Sequence, residues 1–252
     1  MQIVVEICCS SLDDALEAQA GGANRIELCS ALFLGGLTPS AGTLCSAVER
    51  LRIPIMAMVR PRHGGMCYTQ AEFASMERDI ELSLEMGATG IVFGVLLDDG
   101  RIDVARSRRL VELAQGAPTM FHRAFDVTPN PFEALDQLID LGVTRLLTSG
   151  QEPTQEEGAD LLAELVQRAD DRIEVMPGGG VRPHNVAALV QKTGCKAVHL
   201  AALCQWRDTS ALGNPRIRYG APSSPPEDVF DVIDRKVVAE VVDAVRLVAA
   251  SS

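Results

Sequence analysis

The chain is poor in lysine: among 252 residues it has only Lys192, Lys196 and Lys236. None stands at the end of a strand-like run, which argues against Schiff-base aldolase chemistry. No His-x-His or H-E-x-x-H pattern occurs, so the usual barrel zinc hydrolases do not fit. A Gly-x-Ser-x-Gly elbow is also missing, as is a Gly-x-Gly-x-x-Gly turn after the first apolar run. The seven cysteines include no C-x-x-C, and Cys8 and Cys9 are adjacent, so reduced, mostly buried thiols are expected rather than a disulfide framework. No run of about 18 apolar residues is present to span a bilayer. The opening MQIVVEICC lacks a basic leader, and the chain is expected to stay in the cytoplasm. Basic charge is scarce too: 23 Lys and Arg against 34 Asp and Glu give −11, with a pI near 4.8. Such a surface disfavours nucleic acid and anionic membranes as partners.

What is present is an ordinary globular composition, 47% hydrophobic with 21 Gly and 13 Pro. Strand-like runs at 3–9, 25–30, 54–60, 90–96, 118–123, 145–149, 172–177 and 197–201 alternate with helical patterns such as 11–20, 69–86, 103–114, 131–141, 154–169 and 183–192. Asp103 and Thr154 stand at N-cap positions, and Gly87, Gly116, Gly142 and Gly194 close helices. A Pro-, Ser- and Gly-rich stretch at 205–226 reads as a long loop before a last amphipathic segment, 227–250. Eight β-α units in about 250 residues predict an α/β protein, one (β/α)8 TIM barrel spanning 1–252.

Strand alternation then sorts the side chains. Val5 and Ile7 share one face of the first strand, and Glu6 and Cys8 the other. Ile26 and Leu28 oppose Glu27 and Cys29 in the second. A carboxylate pointing into a barrel needs a partner, and Arg60, Arg62, His122, Arg123 and His199 stand near strand ends where barrel enzymes keep their sites. Asp126 adds an acid in the loop after strand five. The segment Met176-Pro-Gly-Gly-Gly-Val181 follows strand seven, where exposed amides hold anions in this fold. Gly178, Gly179 and Gly180, with Ser149 and Gly150 closing strand six and Arg62, form the expected anion-binding set.

Together VEICC, GGANRIELCSA, GGLTPS, MVRPRHGGMCYT, FHRAFD, LTSGQ and MPGGGV resemble the CutC family of copper homeostasis proteins over nearly the whole chain. The resemblance implies a (β/α)8 barrel, a cytoplasmic homodimer or higher oligomer, and intracellular copper handling with Cu(I) on cysteines. It places the family's recurrent cysteines on Cys8, Cys29 and Cys67. Its recurrent polar residues fall on Glu6, Glu27, Arg60, Arg62, His122, Arg123, Asp126 and His199. Many relatives read R-P-R-G-G-D-F-C-Y where this chain carries His63 and Met66, so the loop acid is missing and His63 reads as an exposed loop residue.

Two functions follow from different observations. Soft thiolates select Cu(I), and Cys8 and Cys29 are placed to approach each other. The eight methionines are spread along the sequence, with Met56, Met58 and Met66 near Cys67, and form no carrier-type cluster. Alternatively, the mouth serves an enzyme or binder of a small phosphorylated metabolite. The glycine loop and arginines would hold the anion, while Glu6, Glu27 or Asp126 would exchange protons with His122 or His199.

Overall fold

Short runs of Val, Ile, Leu and Met, bounded by helix caps and glycine turns, form the strands of a parallel barrel in a computed structural model that describes residues 2–214, 216–220 and 224–251. Part of the expected 205–226 loop, residues 215 and 221–223, lies outside the described residues, as do residues 1 and 252. The order is β1 (Val4–Cys9), α1 (Leu12–Ala20), β2 (Arg25–Leu28), α2 (Ala41–Arg50), β3 (Ile55–Met58), α3 (Gln70–Glu85), β4 (Gly90–Phe93), α4 (Val104–Leu113) and β5 (Thr119–Phe121). Then come α5 (Pro131–Asp140), β6 (Arg145–Thr148), α6 (Ala159–Ala169), β7 (Glu174–Pro177), α7 (Val186–Thr193) and β8 (Ala197–Leu200). Parallel ladders join β8 to β1 and then each strand to its successor through β7. The seam between β7 and β8 is packed without a ladder.

The alternation read from the sequence holds in three dimensions. Val5, Ile7, Ile26 and Leu28 pack outward in one core with helix residues such as Ala15, Ala18 and Val238. A second outer core surrounds Phe93, Phe121 and Phe125. The barrel interior is separate and contains Cys8, Cys29, Met56, Met58, Val92, Met120, Leu147 and Met176. Four of the eight methionines therefore meet inside the barrel, which corrects the reading of a scattered set. They come from β3, β5 and β7, far apart in sequence, so a linear scan does not see them gather.

Asp103 caps α4 as expected, and Thr69 with Glu72 forms a capping box on α3. Thr154 does not cap α6. It closes a turn with Glu157, and the helix begins after Gly158, whose backbone presses so closely on Ser149 that a Cβ would lie 2.0 Å from the Ser149 carbonyl oxygen. The 205–226 stretch is also not one loop. Its start belongs to β9 (Leu203–Arg207), which pairs antiparallel with β10 (Val229–Ile233) as a ribbon outside the barrel. The last helix, α8 (Arg235–Ser251), starts after that ribbon rather than at 227.

One carboxylate ties the two ends of the fold together. Asp14, in the first turn of α1, accepts from Ser10 and from the buried Ile233 amide at 2.9 Å. Asp14→Ala leaves that amide unpaired, and a loss of about 1–3 kcal/mol is expected. Denaturant titration should show a lower midpoint with the slope unchanged; an unchanged midpoint would remove Asp14 as the tie.

Candidate functional site

The barrel interior has a charged base, a thiol floor and an open mouth. Glu6 is fully buried in β1 and ion-paired with Arg25, its register partner in β2. Its other oxygen lies 2.8 Å from His199 Nδ1. Burial alone would raise the Glu6 carboxyl, but the His199 hydrogen bond and the Arg25 charge outweigh it and hold it at about 2. Arg25 reaches Glu174 at 2.9 Å, which also pairs with Arg145 at 3.2 Å. Arg25, Arg145 and Glu174 were not among the residues expected from sequence. Each opens its strand, so attention to strand ends near the mouth passes over them. The signal was parity: Arg25 shares its face with Glu27 and Cys29.

Above the base, Cys8 Sγ donates to Glu27 Oε2 at 3.0 Å and lies 3.7 Å from Cys29 Sγ. His199 Nε2 is 3.8 Å from the same Glu27 oxygen. Donor atoms of Cys8, Glu27 and His199 all lie within 4.8 Å of one another. Burial and the Cys29 and Glu27 neighbours push the Cys8 thiol well up, with its hydrogen bond to Cys29 the largest influence. Burial likewise raises Glu27. Burial opposes charge on His199, yet Glu27 and Glu6 raise it above the ordinary imidazole value.

The mouth is a cavity of about 400 Å³ lined by Cys8, Glu27 and His199 below and by Arg60, His122, Arg123, Gly179 and Gly180 around the wall. Arg60 follows β3 and donates to the carbonyls of Leu34, Gly36 and Gly64 at 2.9–3.1 Å. His122 follows β5 and accepts the Ala124 amide on Nδ1 at 3.0 Å. Gly94 makes room for this ring, since a Cβ there would lie 2.3 Å from His122 Cε1. Burial, reinforced by the Arg60 charge, lowers His122 to about 3.

The remaining expected residues do other work. Arg62 leaves the mouth for Glu72 at 2.6 Å and stacks 5.0 Å over the Tyr68 ring, pinning its loop to α3. Asp126 accepts from Thr148, from the Ser149 amide and hydroxyl, and pairs with Arg123 at 2.7 Å. The Gly150 amide donates to Thr148 Oγ1 and the Gly178 amide to the Thr148 carbonyl. These groups build the wall and do not face the cavity with free donors. His63 and Cys67 are exposed.

A (β/α)8 barrel with two thiols, a carboxylate and an imidazole gathered under its C-terminal mouth defines the class. The CutC family profile matches residues 3–204, and the chain belongs to that family. A CutC family protein of Treponema denticola is 49% identical over 230 residues, covering 91% of this chain and 94% of the relative. One from Mesorhizobium japonicum is 41% identical, covering 96% and 94%. The crystal structure described as the putative copper homeostasis protein CutC of Streptococcus agalactiae superposes with a TM-score of 0.76 at 35% identity, over 79% of this chain and 98% of that one. A phosphoribosylanthranilate isomerase of Thermotoga maritima shares the fold alone, with a TM-score of 0.57 at 12% identity over 97% and 99% of the chains.

The buried charges give the stability a pH signature. His122 is neutral in the fold but titrates near 6.5 when unfolded, so its contribution is complete above about 6.5 and lost as pH falls toward 3. Glu6 adds a loss from about 4.5 toward 2. His122 and Glu6 thus pull stability down on acidification from pH 6.5, while Glu27, whose carboxyl is raised by burial, acts in the opposite sense above about 4.5. His122→Asn, which keeps an acceptor for Ala124, should flatten the curve between 6.5 and 4.5. Parallel curves for the two proteins would contradict this assignment.

Proposed function

We propose that this chain binds Cu(I) as cargo on the thiol floor of the barrel, with Cys8 and Cys29 as the primary ligands. The observation that carries the reading is the 3.7 Å separation of the two sulfurs on neighbouring strands. It is less than twice a metal–sulfur bond of about 2.3 Å, so one ion can reach both. Thiolate is a soft donor suited to Cu(I). His199 supplies a third donor through Nε2, and Glu6 on Nδ1 fixes the ring as carboxylates do behind metal-bound histidines. Glu27 is the adjacent base for the Cys8 proton. Two of the four interior methionine sulfurs are already engaged, Met176 accepting from Arg25 and Met56 from Arg145. The family membership and the Streptococcus agalactiae description support the copper assignment.

The same reading places the protein in the cytoplasm as a homodimer. Support for self-association comes from the ribbon, where Trp206 and Phe230 are register partners and both exposed.

Copper binding must expel the Cys8 and Cys29 thiol protons and the proton on His199 Nε2, so affinity should rise with pH. Competition against a chromophoric Cu(I) chelator should show one ion per chain. Cys8→Ser/Cys29→Ser should lower affinity by at least about tenfold, whereas Cys67→Ser should leave it unchanged. Unaltered affinity in a folded double variant, judged by its near-ultraviolet spectrum, would exclude the thiol pair.

A further inference from the structure

The wall of the mouth contains donors that the thiol floor does not use. Arg60 is buried, its Nη groups donate to three backbone carbonyls and the Tyr68 hydroxyl lies beside its guanidinium, so its charge meets no carboxylate among the described residues. Its Nε–H has no acceptor. A buried guanidinium without a counter-charge is costly unless an anion joins it. His122 adds a second vacant donor. Because Nδ1 accepts the Ala124 amide, the proton of the neutral ring sits on Nε2, and that atom is buried without a partner.

Across the cavity, Gly179 and Gly180 have φ of +90° and +87°. Their carbonyls accept from Gln155 and Asn185, but their amides reach no acceptor among the described residues. A Cβ on Gly179 would sit 3.4 Å from the Arg123 guanidinium. Arg123 uses Nε on Asp126 and Nη2 on Ser149, leaving Nη1. Of the floor carboxylates, Glu6 is engaged by Arg25 and His199, and Glu27 by Cys8 through Oε2, while Glu27 Oε1 stays buried without a partner.

We propose that the mouth binds a small organic oxyanion in addition to any metal below. One oxyanion group would rest on the Gly179 and Gly180 amides and Arg123, and a second ligand oxygen would take the His122 Nε2–H and Arg60 Nε–H. A cavity of about 400 Å³ holds a metabolite of a few carbons, not a polymer. The donor set is entirely N–H, so it selects acceptor-only groups, phosphate monoester or carboxylate. Copper at the floor and an anion at the wall use different side chains, so the two bindings are separable.

The test uses metal-free, full-length protein with inorganic phosphate, glycolate and phosphoglycolate as probes. Phosphoglycolate should raise the melting temperature and shift the Gly179 and Gly180 amide resonances and the His122 ring resonances. Inorganic phosphate should act on the two amides more than on His122. A response to glycolate equal to that of phosphoglycolate would assign a carboxylate rather than a phosphate ligand within the same site. Arg123→Gln, at a partly exposed position, should weaken phosphoglycolate binding about tenfold, and Arg60→Met comparably. A silent wild type at millimolar concentrations of all three probes would overturn the proposal. So would resonance shifts confined to residues outside the mouth, or undiminished binding in folded Arg123→Gln. Retention of Cu(I) binding in Arg123→Gln shows that a loss belongs to the wall and not to the floor.

Discussion

The structure depends on the burial of one ion. Glu6 sits inside the barrel with no exposure, and an isolated carboxylate there would cost several kcal/mol. Arg25 and His199 meet its two oxygens from the strands on either side. Each partner is set by the ladder, since Glu6 is the register neighbour of both. A one-residue slip in either ladder would turn the partner outward and strand the charge. Charge pairing therefore specifies register in a region where apolar packing alone would tolerate alternatives.

The same pairing prepares the chemistry above it. His199 presents Nε2 to Glu27 and the Cys8 thiol because Nδ1 is held by Glu6. Methionines fill the rest of the interior, adapting to an irregular space between charged layers. Two of them also accept from Arg25 and Arg145, which lets guanidinium groups lie among apolar side chains. The base is accordingly stable and closed, whereas the mouth keeps unpartnered atoms on Glu27, Arg60 and His122. The polar atoms left without partners are thus gathered in the upper half of the barrel, above a saturated base.

Much of this was legible in the chain itself. The β-α count led to the barrel, and parity correctly turned Glu6, Cys8, Glu27 and Cys29 inward, because a period of two is a strong constraint on a short strand. Parity turns Arg25 inward as well, but at the entry of β2 and away from the strand ends that face the mouth. The methionine interior was invisible because its members are one per strand or two, tens of residues apart. Arg62 and Asp126 carry the right charge in the right motifs, yet local partners claim them: Glu72 three residues into α3, and the Thr148–Ser149 turn. The ribbon reads as loop in the sequence because the Pro-rich stretch between its strands dominates composition, and β9 has no buried face to produce alternation.

The partners of Glu6 are separated by 19 and 193 positions along the chain. During synthesis on a ribosome, Arg25 emerges almost with Glu6, while His199 arrives only when most of the polypeptide has been made. The nascent chain must carry a half-neutralised anion through that interval, and Glu6 gains its second partner only when β8 docks on β1.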